Sequence, residues 1–345
     1  MDETGRSLIP KRLRIEFLGR RRAFITLLGG AAAVWPLAAR AQQPVMPVIG
    51  FMNAGSSQAQ ARLLAAFRQG LADTGYTEDH NVKIEYRWAE SRYDRLPGMA
   101  ADLVRRQVAV IAATSTPAAV AAKAATAVIP IVFEMAGDPI RLGLVASLNR
   151  PGGNITGVTQ LNEEVAPKRL ELLHELVPTA SVIALLVNPT DPVLAEANTR
   201  NLQAAARAFG LQPHVLHAST ERDFDEVFAS LIQLRAGGLV IGPDSFLLGR
   251  SAQLAALTVR YGVPAVFEGR EFVAAGGLAS YGGNQADSYR LAGVYTARIV
   301  KGEKPSELPV QRGTKVELFL NLKTAKALGI TVPLPLSGRA DEMIE

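Results

Sequence analysis

The 345-residue sequence has no cysteine. That excludes disulfides, thiolate-bound zinc and a thiol nucleophile. Histidine is scarce too: only His80, His174, His214 and His217 occur. His214 and His217 lie three apart on an expected strand, so they face opposite sides and form no metal pair. No Gly-x-Ser-x-Gly elbow, phosphate-binding Gly-x-x-x-x-Gly-Lys loop, His-Glu-x-x-His or strand-linked Gly-x-Gly-x-x-Gly is present, so no cofactor is expected and the pattern favours binding over catalysis. An excess of charge over the body of the chain is also missing. The formal charge is +5, but residues 1–41 alone hold eight basic groups (Lys11 and seven arginines) against Asp2, Glu3 and Glu16. The remainder balances 29 basic against 29 acidic groups, and a neutral body gives no case for nucleic acid.

The leader itself reads as an export signal. Arg20–Arg22 precede an apolar run from Ala23 to Ala39, closed by Ala39-Arg40-Ala41, a small-x-small cleavage pattern. The run is too short and too rich in Gly and Ala for a membrane span of about 20 apolar residues. Arg21-Arg22-Ala23-Phe24-Ile25 resembles the twin-arginine signal, which exports folded proteins. The expectation is cleavage after Ala41 and a periplasmic product.

From Pro47 onward, short β-branched runs alternate with helical patterns, the mark of an α/β fold with parallel sheets. "VIGFM" (48–52), "VKIEYRW", "VAVIAAT" (108–114) and "IPIVFE" are four successive strands in the first half. "VIALLVN" (182–188), "PHVLHA", "GLVIG" (238–242) and "VPAVFE" follow in the same order in the second. Val48-Ile49 returns as Val182-Ile183, Gly75 as Gly210, and Pro130-Ile131-Val132-Phe133-Glu134 as Pro264-Ala265-Val266-Phe267-Glu268. A nearly constant offset of 134 or 135 residues implies a duplicated α/β unit.

Open parallel sheets bind ligands beyond the carboxyl ends of their strands. There the sequence is polar and rich in helix starts. Asn53-Ala54-Gly55-Ser56 follows strand one; Thr114-Ser115-Thr116-Pro117 follows strand three, with Thr116 read as N-cap; Gly137-Asp138 follows strand four. The second half offers Asn188 and Asp244-Ser245-Phe246. Helix-start N–H groups with hydroxyls beside them suit a carboxylate, and Asp244 on the facing lobe suits an ammonium, with Phe246 as an apolar wall. Each of these residues also serves as an ordinary cap, worth about 1 kcal/mol. Glu134 and Glu268, at equivalent strand ends, either point into the cleft or hold the adjoining loop. Trp88, on a strand face with Val82, Ile84 and Tyr86, reads as core.

"RRRAFITLLGGAAAVWPLAARAQQPVMPVIGF", "VKIEYRWAESRYDRLPGMAADLVRRQVAVIAA", "IPIVFEMAGDPIRLGLVASLNRPGGNITGV" and "KRLELLHELVP" resemble the ABC-transporter substrate-binding proteins of the periplasmic type I class. Some members of that group are associated with tryptophan and related aromatic amino acids. The resemblance runs from Arg20 to Ile344. It implies two Rossmann-like lobes joined by a multi-strand hinge, and a monomeric receptor that hands a small molecule to a membrane permease. It places ligand contacts in the loops matching Asn53–Ser56, Thr114–Thr116, Gly137–Asp138, Asn188 and Asp244–Phe246. The loop after strand three is Thr-Ser-Thr where relatives often carry glycines, so ligand identity does not transfer. The expected lobes are 45–159 with 279–308 and 160–278 with 309–345. The crossings then fall near Thr159, Leu278 and Pro309, with Gly276, Gly277, Gly282 and Gly283 free to absorb hinge rotation. The competing reading is an exported α/β hydrolase or isomerase using Asp138 or Asp244 as acid and base. A transcription regulator on the same fold is disfavoured, since the leader occupies the place of a DNA-binding element.

Overall fold

Hydrophobic runs of four to six residues between turn signals form strands buried on both faces, and here they assemble two sheets. The structure is a computed structural model, and it describes residues 46–345 apart from 161, 163 and 314. The expected export signal and its cleavage after Ala41 lie outside the described residues.

In the first sheet, β1 (Val48–Asn53), β2 (Lys83–Trp88), β3 (Val110–Thr114), β4 (Ile131–Met135) and β5 (Ile155–Thr159) run parallel. A short β11 (Gln311–Arg312) joins β5, giving the order β11-β5-β4-β3-β1-β2. The second sheet holds β6 (Val182–Val187), β7 (Gln212–His217), β8 (Gly238–Ile241), β9 (Ala265–Phe267) and β10 (Ala279–Gly283). It is completed by β12 (Val316–Asn321), antiparallel to β10, and β13 (Glu342–Ile344), in the order β13-β12-β10-β9-β8-β6-β7. Four strands of each sheet share one order, 4-3-1-2, so the 134-residue echo in sequence is an echo in topology.

Alternate side chains of each strand feed opposite faces. Ile49, Phe51, Val110, Ala112 and Val132 pack under α1 (Ala61–Ala72) and α10 (Gln285–Val300). Met52, Ile111, Ala113 and Phe133 pack under α2 (Leu96–Arg105) and α3 (Thr116–Ala125). In the second sheet, Ile183, Leu185 and Val240 face α4 (Ala166–Leu176) and α5 (Pro192–Ala208). Leu186, Leu239 and Phe267 face α6 (Asp223–Gln233), α8 (Ser251–Arg260) and the short α7 (Ser245–Gly249) and α9 (Arg270–Ala274). Two further short helices, α11 (Leu322–Ala327) and α12 (Leu334–Ser337), lie near the C-terminus. No described helix is long and apolar enough to cross a membrane. Trp88 sits against Phe51, ring centroids 5.3 Å apart, beside the first-sheet core.

Helices α1 and α10 touch backbone to backbone. A Cβ on Gly70 would lie 1.9 Å from the Arg290 carbonyl oxygen, and one on Gly293 would lie 2.1 Å from that of Phe67. Only glycine fits at either place.

The chain passes between lobes three times. The first passage follows β5, after Thr159. The second corrects the sequence reading: β10 does not return to lobe one but pairs with β9 and β12 in the second sheet. The passage therefore comes at Gly283–Asn284, about five residues later than expected. "LASYG" is a strand by pattern alone, and the pattern carries no information on which sheet edge receives it. Gly276 and Gly277 consequently stand in the turn before β10, away from any passage. The third passage follows β11, at Gly313, a few residues beyond Pro309. The three meet: the Gly283 N–H donates to Asn162 Oδ1 at 3.1 Å, Gly313 N–H to the Thr159 carbonyl at 2.8 Å, and Asn284 N–H to the Lys315 carbonyl at 3.1 Å.

Candidate functional site

The carboxyl ends of both sheets face one another across a cleft. Lobe one presents the ends of β3 and β4 and the first turns of α1, α3 and α10; lobe two presents the starts of α5 and α7 and the end of β9. About 460 Å³ of unfilled space lies there, part of it open to solvent, while the centre of a water molecule has only about 40 Å³ to move in. The lobes are drawn together, and a ligand larger than a few waters enters only when they part.

Contacts across the cleft hold this closed arrangement. The Tyr93 hydroxyl, from the loop after β2, donates to Asp244 Oδ2 at 2.8 Å and accepts from the Phe246 N–H at 3.1 Å. Its ring packs against cores of both lobes. At the rim, Arg62 of α1 pairs with Glu271 of α9.

Of the residues expected from sequence, Thr114, Ser115, Thr116 and Asp244 line the cavity. Their roles differ from those expected. The N-cap of α3 is Ser115, not Thr116: its Oγ accepts from the Ala118 and Ala54 N–H groups. Thr114 Oγ1 accepts from Asn53 Nδ2 at 3.0 Å and donates to the Met52 carbonyl. Thr116 Oγ1 alone is left without a protein partner among the three hydroxyls. Asp244 caps α7, its Oδ1 accepting from the Phe246 and Leu247 N–H groups and from Asn188 Nδ2. With Tyr93 on Oδ2, both oxygens are engaged, so Asp244 holds the lobes rather than waiting for an ammonium. Burial raises its pKa, against the pull of these donors.

Asn53 and Asn188 stand behind the lining. Asn53 Nδ2 reaches the Thr114 carbonyl and the Tyr289 hydroxyl, while its Oδ1 accepts from Gly55 N–H. The structure does not bring Ser56, Gly137, Asp138 or Phe246 to the lining. Ser56 Oγ accepts from Ala59 N–H, Asp138 Oδ1 from Ile140 N–H, and the Gly137 carbonyl takes the Thr159 hydroxyl. Phe246 is no apolar wall: it turns into the lobe-two core and stacks on Phe224 at 5.7 Å. Apolar lining comes instead from Leu63, Met135, Leu194 and Leu248.

Sequence reasoning missed Gln60, Gln160, Gln285 and Tyr289, all in the lining, which Asp191 of the Asn188–Pro192 helix start joins. Gln60 Oε1 and Gln285 Oε1 are buried without protein partners, as Thr116 Oγ1 is. Tyr289 is buried, and its hydroxyl donates to the Thr114 carbonyl at 3.1 Å. Both cleft glutamates point inward. Glu134 accepts from Gln160 Nε2 at 2.5 Å, and Glu268 from Asn162 Nδ2 at 2.6 Å. Burial pushes Glu134 up to about 8 and Glu268 up to about 7. Behind Glu268 lies Arg169, wholly buried, its Nε donating to the Tyr281 carbonyl and its two terminal nitrogens unpartnered. Burial lowers its pKa to about 10. No cluster of three metal-ligating side chains occurs among the described residues.

This two-lobed arrangement matches known proteins. The family model for ABC transporter substrate binding proteins matches residues 49–344. The chain belongs to this family. A tyrosine-binding protein of Clostridioides difficile (strain R20291) is 28% identical to this substrate-binding protein over 262 residues, covering 76% of this chain and 75% of the relative. Among solved structures, an ABC domain in complex with L-Trp from Streptococcus pneumonia is 25% identical, with a TM-score of 0.77 over 86% of this chain and 99% of that one. The ligand-free, open structure of a substrate binding protein with adhesive properties from Clostridium difficile is 24% identical, with a TM-score of 0.61 over 86% and 99%. These neighbours share the fold of type I periplasmic binding proteins.

Proposed function

We propose that this substrate-binding protein is the periplasmic receptor of an ABC importer, capturing an amino acid or related carboxylate between its lobes and delivering it to the membrane permease. The observation that carries the reading is the cavity itself. Gln60, Thr116 and Gln285 each bury a side-chain oxygen with no protein partner there. An unsatisfied buried polar group costs about 1–3 kcal/mol, so three converging on one cavity favour a site built for something that supplies the missing partners. The carboxylate is assigned to the start of α3, beside Thr116, where helix N–H groups and the hydroxyl converge. Relatives that bind tyrosine or L-Trp support the amino-acid class.

Arg21-Arg22 and Ala39-Arg40-Ala41 support export and cleavage after Ala41, and a monomer suffices for the reading. The enzyme alternative loses its candidates. Asp244 is tied up by capping and by Tyr93, and Asp138 is outside the lining.

A thermal-shift screen of the purified protein against amino acids, aromatic acids and sugars tests the proposal. A solute at 100 times its Kd adds about 2.7 kcal/mol and is recovered chemically unchanged. Turnover of the stabilising solute would make the protein an enzyme; no stabilisation by any solute would remove the receptor reading.

A further inference from the structure

Among the described residues, four carboxylates line the cavity, those of Glu134, Asp191, Asp244 and Glu268, and no lysine, arginine or histidine does. Asp191 caps α5 by accepting from Leu194 N–H, and Asp244 caps α7 and binds Tyr93. Glu134 and Glu268 are different. Each is at most 6% exposed, and each has a single hydrogen-bonding partner, a side-chain amide. They occupy the same place in the duplicated unit, one on each lobe, and so come together only when the lobes close. We propose that Glu134 and Glu268 form a split cation subsite that takes the ammonium group of the ligand, one carboxylate from each lobe. The proposal rests on the receptor reading and adds the ligand's positive charge and the residues that recognise it.

The physical argument is one of desolvation. With the lobes apart, each carboxylate hydrates and ionises freely. Closure buries both, and two neighbouring carboxylates in a dry cavity must take up a proton or a cation. Glu134 faces Glu268, the Tyr289 phenol and the Gln160 amide. Glu268 feels the positive charge of Arg169 and the negative charges of Asp244 and Glu271. The Arg169 charge partly compensates Glu268, and no cation compensates Glu134. A primary ammonium, with three N–H donors, can bond both carboxylates at once. A lone pair of carboxylates is a poor cage for a metal ion, which wants six or more oxygens.

The same two side chains are wired to the hinge. Gln160 Nε2 donates to Glu134, Asn162 Nδ2 donates both to Gln160 Oε1 at 2.7 Å and to Glu268, and Asn162 Oδ1 accepts from Gly283 N–H. Gln160 and Asn162 belong to the first passage between lobes and Gly283 to the second. An ammonium bridging the carboxylates therefore completes a ring through the first hinge segment, to which the second is tied at Gly283, and ligand charge is read directly as closure.

Calorimetry with L-tyrosine and L-tryptophan, their decarboxylated amines (tyramine, tryptamine) and their deaminated acids (hydroxyphenylpropanoate, indolepropanoate) tests this. Removing the amine is expected to weaken binding at least 100-fold. E134Q and E268Q are each expected to weaken the amino acid tenfold or more without weakening the deaminated acid, whose closure no longer buries a second charge. Melting temperatures of both variants establish that they fold, and Glu134→Asp, retaining the charge, is expected to recover part of the loss. Deaminated acids binding as tightly as amino acids, or variants binding like wild type, would overturn the subsite and leave the receptor reading intact. So would a protein stabilised by an uncharged sugar and by none of the ammonium compounds. Stabilisation by no solute at all would overturn both.

Discussion

Tyr93→Phe isolates the bond that joins the lobes over the cavity. The substitution keeps the ring packed against both cores and deletes one oxygen, which donates to Asp244 Oδ2 at 2.8 Å and accepts from Phe246 N–H at 3.1 Å. In an opened protein both groups are hydrated, so the loss falls on the closed state alone. A hydrogen bond to a charged, buried acceptor is worth about 1.5–3 kcal/mol net. At about 1.4 kcal/mol per factor of ten, the closing equilibrium falls about 10- to 150-fold. The apparent Kd for the solute returned by thermal-shift screening should rise by that factor, since affinity scales with the closed fraction. Asp244→Asn provides the contrast. Asn is as good an N-cap as Asp, and with its oxygen on the helix N–H groups its amide NH2 donates to the Tyr93 hydroxyl, so it should lose less affinity than Tyr93→Phe. Calorimetry gives the Kd, and small-angle scattering gives the radius with saturating solute. A Tyr93→Phe protein whose Kd stays within twofold of wild type would refute the latch.

The pH dependence of stability follows from Glu134. Its folded pKa of about 8 exceeds its ordinary 4.5, so between those values the folded state holds a proton that the unfolded state has lost, and stability falls as pH rises. At about 1.36 kcal/mol per unit, Glu134→Gln should lose up to about 2 kcal/mol less than wild type between pH 6 and 7.5 in urea melts, the full amount where the lobes stay closed; equal slopes would contradict this. Gly293→Ala places a methyl 2.1 Å from the Phe67 carbonyl oxygen, and because that neighbour is backbone, the cost should reach the upper part of the 1–3 kcal/mol typical of overpacking, read as a lower melting temperature. Arg21→Lys with Arg22→Lys should leave the precursor in the cytoplasm, whereas wild type recovered from the periplasm should begin at Gln42 by mass spectrometry. Recovery of the double variant from the periplasm would refute the twin-arginine route.

The parts of this fold that were legible in sequence are those governed by local pattern. Short apolar, β-branched runs bounded by turn residues read as buried strands, and the return of Pro-x-Val-Phe-Glu at one offset exposed the duplication. What a loop side chain does after its strand depends on competing local bonds. Ser115 and Asp244 look like ligand contacts until capping takes their oxygens, and Phe246 looks like an apolar wall until the α7 turn aims it at Phe224. Other features are set by contacts between residues far apart in sequence. Tyr93 meets Asp244 across 151 positions, and Gln285 and Tyr289 reach the cavity only because α10 returns to lobe one. Arg169 sits in an unremarkable amphipathic helix, and nothing in its neighbours signals that it is buried.

Helix α10 also fixes the order in which the protein can be made. The faces of Phe51, Val110, Val132 and Val158 on the first sheet are covered by residues 289–299 as well as by α1, yet β5 ends at Thr159 and α10 at Val300. The emerging chain must therefore synthesise about 140 further residues, most of lobe two among them, before lobe one can be sealed. At about 5–20 residues per second, that apolar face stays unfinished for about 7–30 seconds, a window in which a chaperone is its natural cover. Lobe one has no contiguous segment that could be cut out and expressed alone, and excising residues 160–283 so that β5 leads directly into α10 is the rearrangement that would give it one.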